Sequence, residues 1–533
     1  MKPRIHQIKT AAPFAVAFII MAFCLVPAGR IPTGDAPHLL GISERLAHEL
    51  THFQLGSFTH HASSLIAPHP PGGYLLPMSA YALGIGAWTP FFCSMVALFF
   101  IWKGTQLLTV DEKESTHWPS LLLLLACPLF WLASAEVYWD LFAAAALCMC
   151  LGHLAASNRL SNRHHSLRFG LWMGAGFLCK YTFPAFAVFP VLLAAWSVWK
   201  SKSYKNLGLA IGAFLLLAGP WLALHLSEVV PYVFDSLNTN SQMVDRASIS
   251  GVTDPTYYAV VLKDAFGWPG LLLLLSGLGA CRHHGTQIAL SGGLGGILIL
   301  SWMGQQEPRY LLPALPLLAT ASSVFLMRLK GPARLTWGVL FLAITLPMLS
   351  FTAGANRLGA QVPAERMHEH HRASLTRWGD WPRVHTSFMP VSAHPNSFAI
   401  DEALKAMAKH KTEEDGNTVG LLLDGTAGEL KDGLFFFRSA RLGLFWDFIS
   451  LAPPPGGKGK VFGKFKGPFH ARNEAPSRFR LMYAATSKND KTRRKWLEQH
   501  GAVELSRINL PNGLEGQVLR LSDWVQTEKE IPQ

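Results

Sequence analysis

No cysteine follows Cys281. The seven cysteines (Cys24, Cys93, Cys127, Cys148, Cys150, Cys179 and Cys281) all lie in the apolar part of the chain. The polar C-terminal part therefore has no disulfide with which to offset a small core, whatever its redox compartment. Charge is also scarce, at 15% of residues, and acids are scarcer than bases, 34 against 47. A phosphate-cradling loop is missing as well: the Gly- and Lys-rich stretch 456–466 lacks the Gly-Lys-Ser/Thr ending of a P-loop and reads as a solvated loop. The net charge of +13 does not indicate nucleic-acid binding, because the basic residues of the first half sit in short breaks between apolar runs. That is the charge pattern of a membrane protein.

What is abundant is apolar sequence, 50% of 533 residues. The runs fall at 11–29, 88–108, 118–135, 140–157, 169–182, 184–199, 206–226, 269–280, 286–303, 309–327 and 335–353. This predicts about eleven transmembrane helices, although several runs are shorter than the ~20 residues of a perpendicular span. Lys2, Arg4 and Lys9 precede the first run, which is long for a signal peptide and reads as a first transmembrane helix. The breaks at Arg163 to Arg168, Lys200 to Lys205, Arg282 to His284 and Arg328 to Arg334 are basic; the alternate breaks are not. Basic loops inside give one threading, with the N-terminus in the cytoplasm.

Gly72 to Ala87 decides the parity. It is apolar but short, carries Pro77 and opens with Pro70-Pro71-Gly72-Gly73. If it crossed, every later basic loop would move outside, so it is expected to lie along the outer interface. Asp35, His69, Glu136, Asp140, Lys180, the loop 227–268 and Glu307-Pro308-Arg309 then share the outer face, with the outer loop 30–87 carrying the first two. Charged groups beside hydrocarbon cost roughly 2.5–3.5 kcal/mol each at a helix centre, so a cluster of them at span ends points to function.

The C-terminal part, 354–533, alternates like an α/β domain on the outer side of a membrane domain spanning 1–353. Asp401 to His410 and Lys491 to His500 have helical spacing. Val419 to Leu423, Phe479 to Ala485, Ala502 to Ile508 and Gln517 to Leu521 read as strands, the last two joined at Pro511-Asn512-Gly513.

Five landmarks recur in order. The first outer loop opens Pro32-Thr33-Gly34-Asp35-Ala36-Pro37-His38 and closes on His69-Pro70-Pro71, with Tyr74 following. Glu136-Val137-Tyr138-Trp139-Asp140 opens a later helix; Leu178-Cys179-Lys180-Tyr181-Thr182-Phe183-Pro184 and Arg309-Tyr310-Leu311-Leu312-Pro313-Ala314-Leu315-Pro316 come after it. This resembles the GT-C glycosyltransferases that use polyprenyl-phosphate sugars, the superfamily of protein O-mannosyltransferases and the lipid A aminoarabinose transferase. The resemblance covers roughly 10–350. Where the family places a Glu beside the first acid, this chain has Ala36.

The resemblance implies a polytopic α-helical membrane enzyme with its active site on the extracytoplasmic side, in bacteria of the inner membrane. It implies a polyprenyl-phosphate-linked sugar donor and a lipid, protein or glycan acceptor. Expulsion of a phosphate needs no general acid, so one base suffices. Asp35 would be that base, giving inversion, with Asp140 and Glu136 as further candidate catalytic acids. Lys180, Arg309 and His69 would neutralise the departing phosphate, with Tyr310 and Tyr74 beside them. The same residues suit blander roles: Asp35 and Asp140 as helix caps, Lys180 and Arg309 as snorkelling cations, His69 as a loop histidine. The missing Glu also suits a non-catalytic sugar-lipid binding or transport protein.

His48-Glu49-Leu50-Thr51-His52 points elsewhere. Two histidines at i and i+4 on a helix can hold zinc, with the Glu activating water as in metalloproteases. A third ligand is not evident: His60 falls two residues late for the metzincin spacing, and no Glu follows until Glu112. The transferase chemistry requires no cofactor. The histidines 38, 48, 52, 60 and 61 leave room for a divalent metal, with a zinc protease as the alternative reading.

Overall fold

The computed structural model describes residues 14–22, 25, 36–64, 66, 69–109, 117–158, 160–202, 204–238, 256–303, 307–358, 400–412, 418–423, 447–450, 478–487, 497–499, 501–509 and 514–526. Asp35, the stretch 456–466 and the turn 511–513 lie outside them, as does most of the helix expected at 491–500.

After a helical stretch at 14–22 come two short helices, α1 (Ala36–Thr51) and α2 (Leu55–Ser64), and then α3 (Gly72–Ala82). Eleven residues of α3 reach only about 16 Å, roughly half the hydrocarbon thickness. Pro77 inside it and Pro71 at its N-cap keep it short.

The helical body continues with α4 (Thr89–Leu108), α5 (His117–Ala126), α6 (Pro128–Glu136), α7 (Trp139–Ala156), α8 (Arg163–Cys179), α9 (Phe183–Ser201), α10 (Tyr204–Asn238), α11 (Tyr257–Ser276), α12 (His284–Ser301), α13 (Ala314–Arg328) and α14 (Gly331–Leu358). Among the described residues five helices are long and apolar enough to cross a membrane, or up to seven if each of two bent pairs counts as one span. The pairs have identifiable breaks. Pro128 separates α5 from α6, and α11 breaks at Gly267 (φ 64°), two residues before Pro269. The expected spans 169–182, 286–303 and 309–327 correspond to α8, α12 and α13, whose polar ends or short length keep them below that standard.

α7 is the centre of the body: it is apolar all round and buried along nearly its whole length. α4 and α8 flank it. Contact with α4 is close because Gly104 and Gly152 face each other: a Cβ on Gly152 would stand 2.6 Å from the Gly104 carbonyl oxygen. Small residues let membrane helices approach this way where no hydrophobic drive exists between them. The loop expected at 227–268 is helical at both ends, since α10 runs on to Asn238 and α11 begins at Tyr257.

The C-terminal part forms one five-stranded sheet from β1 (Thr418–Leu423), β2 (Asp447–Ser450), β3 (Arg478–Ser487), β4 (Val503–Asn509) and β5 (Leu514–Gln526), in the order β2-β1-β3-β5-β4. β1 pairs in parallel with β2 and β3; β5 is antiparallel to β3 and β4. α15 (Ile400–His410) covers it, burying Ile400, Ala403, Leu404 and Met407 at helical spacing. The expected strands are present; β2 is an addition to them.

Candidate functional site

Asp140 lies in the first turn of α7, where the helix N-terminus favours a carboxylate. Lys180 is the residue at which α8 ends, its backbone extended (φ −162°, ψ 136°). Because α7 and α8 pack together, these ends meet: Lys180 Nζ is 2.5 Å from Asp140 Oδ1, with side-chain exposures of 15% and 2%. The pair is a buried one, and its charges are unscreened by bulk water.

The short 3-10 turn Pro308–Leu311 brings a second pair to the same place. Arg309 Nε stands 2.5 Å from Glu307 Oε2 as a charge contact rather than an aligned hydrogen bond. Tyr310 Oη donates to the other Glu307 oxygen, Oε1, at 3.3 Å. The two pairs form one cluster. The Lys180 ammonium lies over the Tyr310 ring at 4.2 Å, and the Arg309 guanidinium over the Tyr138 ring at 4.5 Å. Asp140, Arg309 and Glu307 all act electrostatically on Lys180. Two cations and two carboxylates balance.

α3 supplies the neighbouring wall. Gly72 sits against the end of α8, where a Cβ would meet the Leu178 carbonyl oxygen at 2.7 Å. Gly73 sits against Trp139, leaving no room for a side chain. These contacts dock α3 where α7 begins and α8 ends. Tyr74, buried, packs its ring on Trp139 at 4.8 Å; His69, also buried, contacts Trp139 at 5.7 Å and Tyr232 of α10 at 5.0 Å. Two buried hydroxyls of this region, Tyr74 Oη and Thr182 Oγ1, have no hydrogen-bond partner among the described residues. Such groups cost stability unless something satisfies them, so they are natural contacts for a polar ligand.

Thus Asp140, Lys180, Arg309, Tyr310, His69 and Tyr74, far apart in sequence, come together. Glu136 is buried at the end of α6, separated from Asp140 by the left-handed turn at Val137 (φ 55°). Glu307, Tyr138, Thr182 and Tyr232 belong to the cluster without having been candidate ligands. Glu307 carried the best signal, as an acid two residues before Arg309.

The His-Glu-x-x-His segment lies in α1, and its Glu is engaged elsewhere. Glu49 is buried; its Oε1 accepts from His61 Nδ1 at 2.6 Å and contacts Arg45 Nε at 3.4 Å. Arg45 also meets His61 Nε2 at 3.0 Å, which closes a triad joining α1 to α2. His48 and His52 stack on each other at 4.0 Å, and the His52 Nδ1 is bound to the His48 carbonyl oxygen at 2.8 Å. Burial and the neighbouring His52 hold the His48 pKa below its usual value. Among the described residues no group of three His, Cys, Asp or Glu is placed to hold a metal ion. The segment is built as a helix-joining brace.

No curated protein matches the chain in sequence at a significant level. The fold matches ArnT from Cupriavidus metallidurans bound to undecaprenyl phosphate, with 14% identity, a TM-score of 0.62, and coverage of 97% of this chain and 99% of that one. The same enzyme in its apo state matches with 15% identity and a TM-score of 0.63, covering 97% and 98%. At that identity the likeness is one of fold. The family model of the Alg9-like mannosyltransferases matches residues 89–377, more than half of the chain and most of the helical body that carries Asp140, Lys180 and Arg309. On that match the chain belongs to the Alg9-like mannosyltransferase family and is a polytopic membrane glycosyltransferase of the GT-C superfamily.

Proposed function

We propose that the protein moves a sugar from a polyprenyl-phosphate donor to an acceptor hydroxyl or amine at the extracytoplasmic face, with inversion. The observation that carries this reading is the joined pair of ion pairs, Lys180–Asp140 and Arg309–Glu307. A phosphodiester bears one negative charge, and cleavage of its sugar C1–O bond leaves that electron pair on the phosphate. Two cations already held in one cluster are suited to the charge that develops there. Undecaprenyl phosphate, bound by the ArnT of similar fold, is a ligand of this chemistry.

In the same step the acceptor oxygen or nitrogen bonds C1 from the opposite side and its proton passes to Asp35. Support for Asp35 comes from its sequence position, one residue before α1. His69 and Tyr74 would flank the donor, and Tyr310 would hold Lys180 from behind. Asp140 is held by Lys180, which suits it to positioning that cation; Glu136 is a further acid near the same helix start. The transfer needs no cofactor.

The threading proposed with this reading has about eleven crossings, as loop charge suggests, with 1–353 in the membrane of a bacterial inner envelope. The N-terminus would be cytoplasmic and the α/β domain of 354–533 extracytoplasmic. The test is mass spectrometry of lipid co-purifying with the protein. A polyprenyl-phosphate sugar is expected with the wild type and lost from Lys180→Met and Arg309→Met. Wild-type protein that retains no lipid phosphate when undecaprenyl-phosphate mannose is supplied would overturn the reading.

A further inference from the structure

The longest helix of the body overhangs the cluster. α10 has 35 residues, about 52 Å at 1.5 Å per residue, against a hydrocarbon core of ~30 Å. It runs parallel to α8: Gly170 abuts Ala210, Phe177 packs on Phe214, and Trp221 Nε1 donates to Tyr181 Oη at 3.2 Å. α8 stops at Cys179, whereas α10 continues past Trp221 to Asn238.

The side of α10 that faces the cluster is aromatic. Trp221, His225 and Tyr232 recur at helical spacing, and all three are half-buried, with Trp221 stacked on His225 at 4.0 Å. Tyr232 approaches both His69 (5.0 Å) and Tyr181 (6.2 Å, rings inclined at 62°). Tyr74, whose buried hydroxyl lacks a partner among the described residues, packs on Trp139, the same ring that His69 contacts. Ring faces, a buried hydroxyl and an adjacent pair of cations thus occur together.

We propose that Tyr232 and Tyr181 form the subsite for the pyranose ring of the donor, with Tyr74 Oη meeting one of its hydroxyls and Trp221 positioning Tyr181. A pyranose has apolar C–H faces and a polar rim, so it needs ring surfaces and a few fixed hydroxyl partners. A ring attached to a phosphate held by Lys180 and Arg309 lies within about one ring diameter of that phosphate. His69, touching both Trp139 and Tyr232, joins the cluster to the aromatic wall. The proposal rests on the lipid-phosphate reading, and its test separates the two. Aromatic residues at a helix end also serve as interfacial anchors, the outcome against which it is measured.

The experiment compares the binding of undecaprenyl phosphate and undecaprenyl-phosphate mannose to the full-length protein in nanodiscs. Wild type should bind the mannosyl lipid more tightly. In Tyr232→Leu that preference should fall by roughly threefold to tenfold, the range of one aromatic contact. Affinity for undecaprenyl phosphate should stay as in wild type, which also reports an intact fold. Tyr232→Phe, retaining the ring, should keep the preference. A preference that survives Tyr232→Leu, or is absent from wild type, overturns the proposal. So does a parallel loss of affinity for both lipids, which would mark Tyr232 as an anchor. Lys180→Met reports separately: undiminished binding of both lipids there sinks the phosphate reading and leaves the sugar preference to judge Tyr232.

Discussion

Lys180 and Asp140, 40 residues apart, form a buried ion pair at 2.5 Å that ties the end of one membrane helix to the start of another. Each of these residues would be costly alone near hydrocarbon, and each is satisfied by the other. On the proposed reading the donor's arrival is an exchange: a phosphate drawn to Lys180 would compete with a carboxylate already there. Arg309 and Glu307 repeat the arrangement.

The pair predicts a double-mutant signature. Asp140→Asn or Lys180→Met leaves one buried charge uncompensated, a loss of about 3–5 kcal/mol in comparable pairs. The doubly substituted protein should recover much of this, because neither charge remains. Thermal unfolding in detergent measures it: both single variants should melt well below the double. Additive decrements would show that the two side chains do not interact.

Gly73 makes a second, purely steric prediction. A Cβ there would overlap the Trp139 indole at 2.5 Å, and that ring also supports His69 and Tyr74. Gly73→Ala should therefore lower transfer about tenfold or more, since small misplacements at a site are costly. Gly84→Ala is a poor control because its φ is positive; Gly56→Ala, with open space around it, should be nearly silent. Equal activities of Gly73→Ala and wild type would show that α3 can shift without consequence.

Much of this site was legible in the sequence. Asp140, Lys180 and Arg309 stand out because ionisable residues at the ends of apolar runs demand a reason, and loop charge alone put them on one face. Tyr232 was not legible. It sits in a stretch, Glu228 to Asn238, that reads as the start of an outer loop, yet continues α10, where Tyr232 meets His69 and Tyr181. Glu49 was legible but misleading: its spacing fits a zinc motif, whereas Arg45 at i−4 and His61 on the next helix claim the carboxylate. The run 118–135, read as continuous, is broken at Pro128, whereas the run 269–280 was read too short, since α11 begins at Tyr257 and bends at Gly267.

The threading can be checked with a native thiol. Cys281 is exposed, whereas Cys93, Cys127, Cys148 and Cys150 are buried. It neighbours the basic stretch Arg282 to His284, so it should be cytoplasmic. An impermeant maleimide should label it only after cells are permeabilised. In a Cys281→Ser background, Trp302→Cys at the other end of α12, 72% exposed, should be labelled in intact cells. Labelling of Cys281 from outside would invert the topology and move the cluster to the cytoplasmic face.

The rival chemistries of the first loop are separable by two isosteric substitutions. Asp35→Asn retains shape and hydrogen bonding but accepts no proton, and loss of a general base costs about 10²–10⁴ in rate. Glu49→Gln should leave the transfer chemistry near wild type, because Glu49 braces α1 against α2. Its cost should appear instead as a lower melting temperature, since His61 and Arg45 lose the carboxylate they share. A His61→Gln variant should show the same lowering, and combining it with Glu49→Gln should add less than the sum, as expected for residues in one network. Near-normal sugar transfer by Asp35→Asn would remove Asp35 as base. Zinc-dependent activity abolished by Glu49→Gln at an unchanged melting temperature would restore the metal reading of the motif.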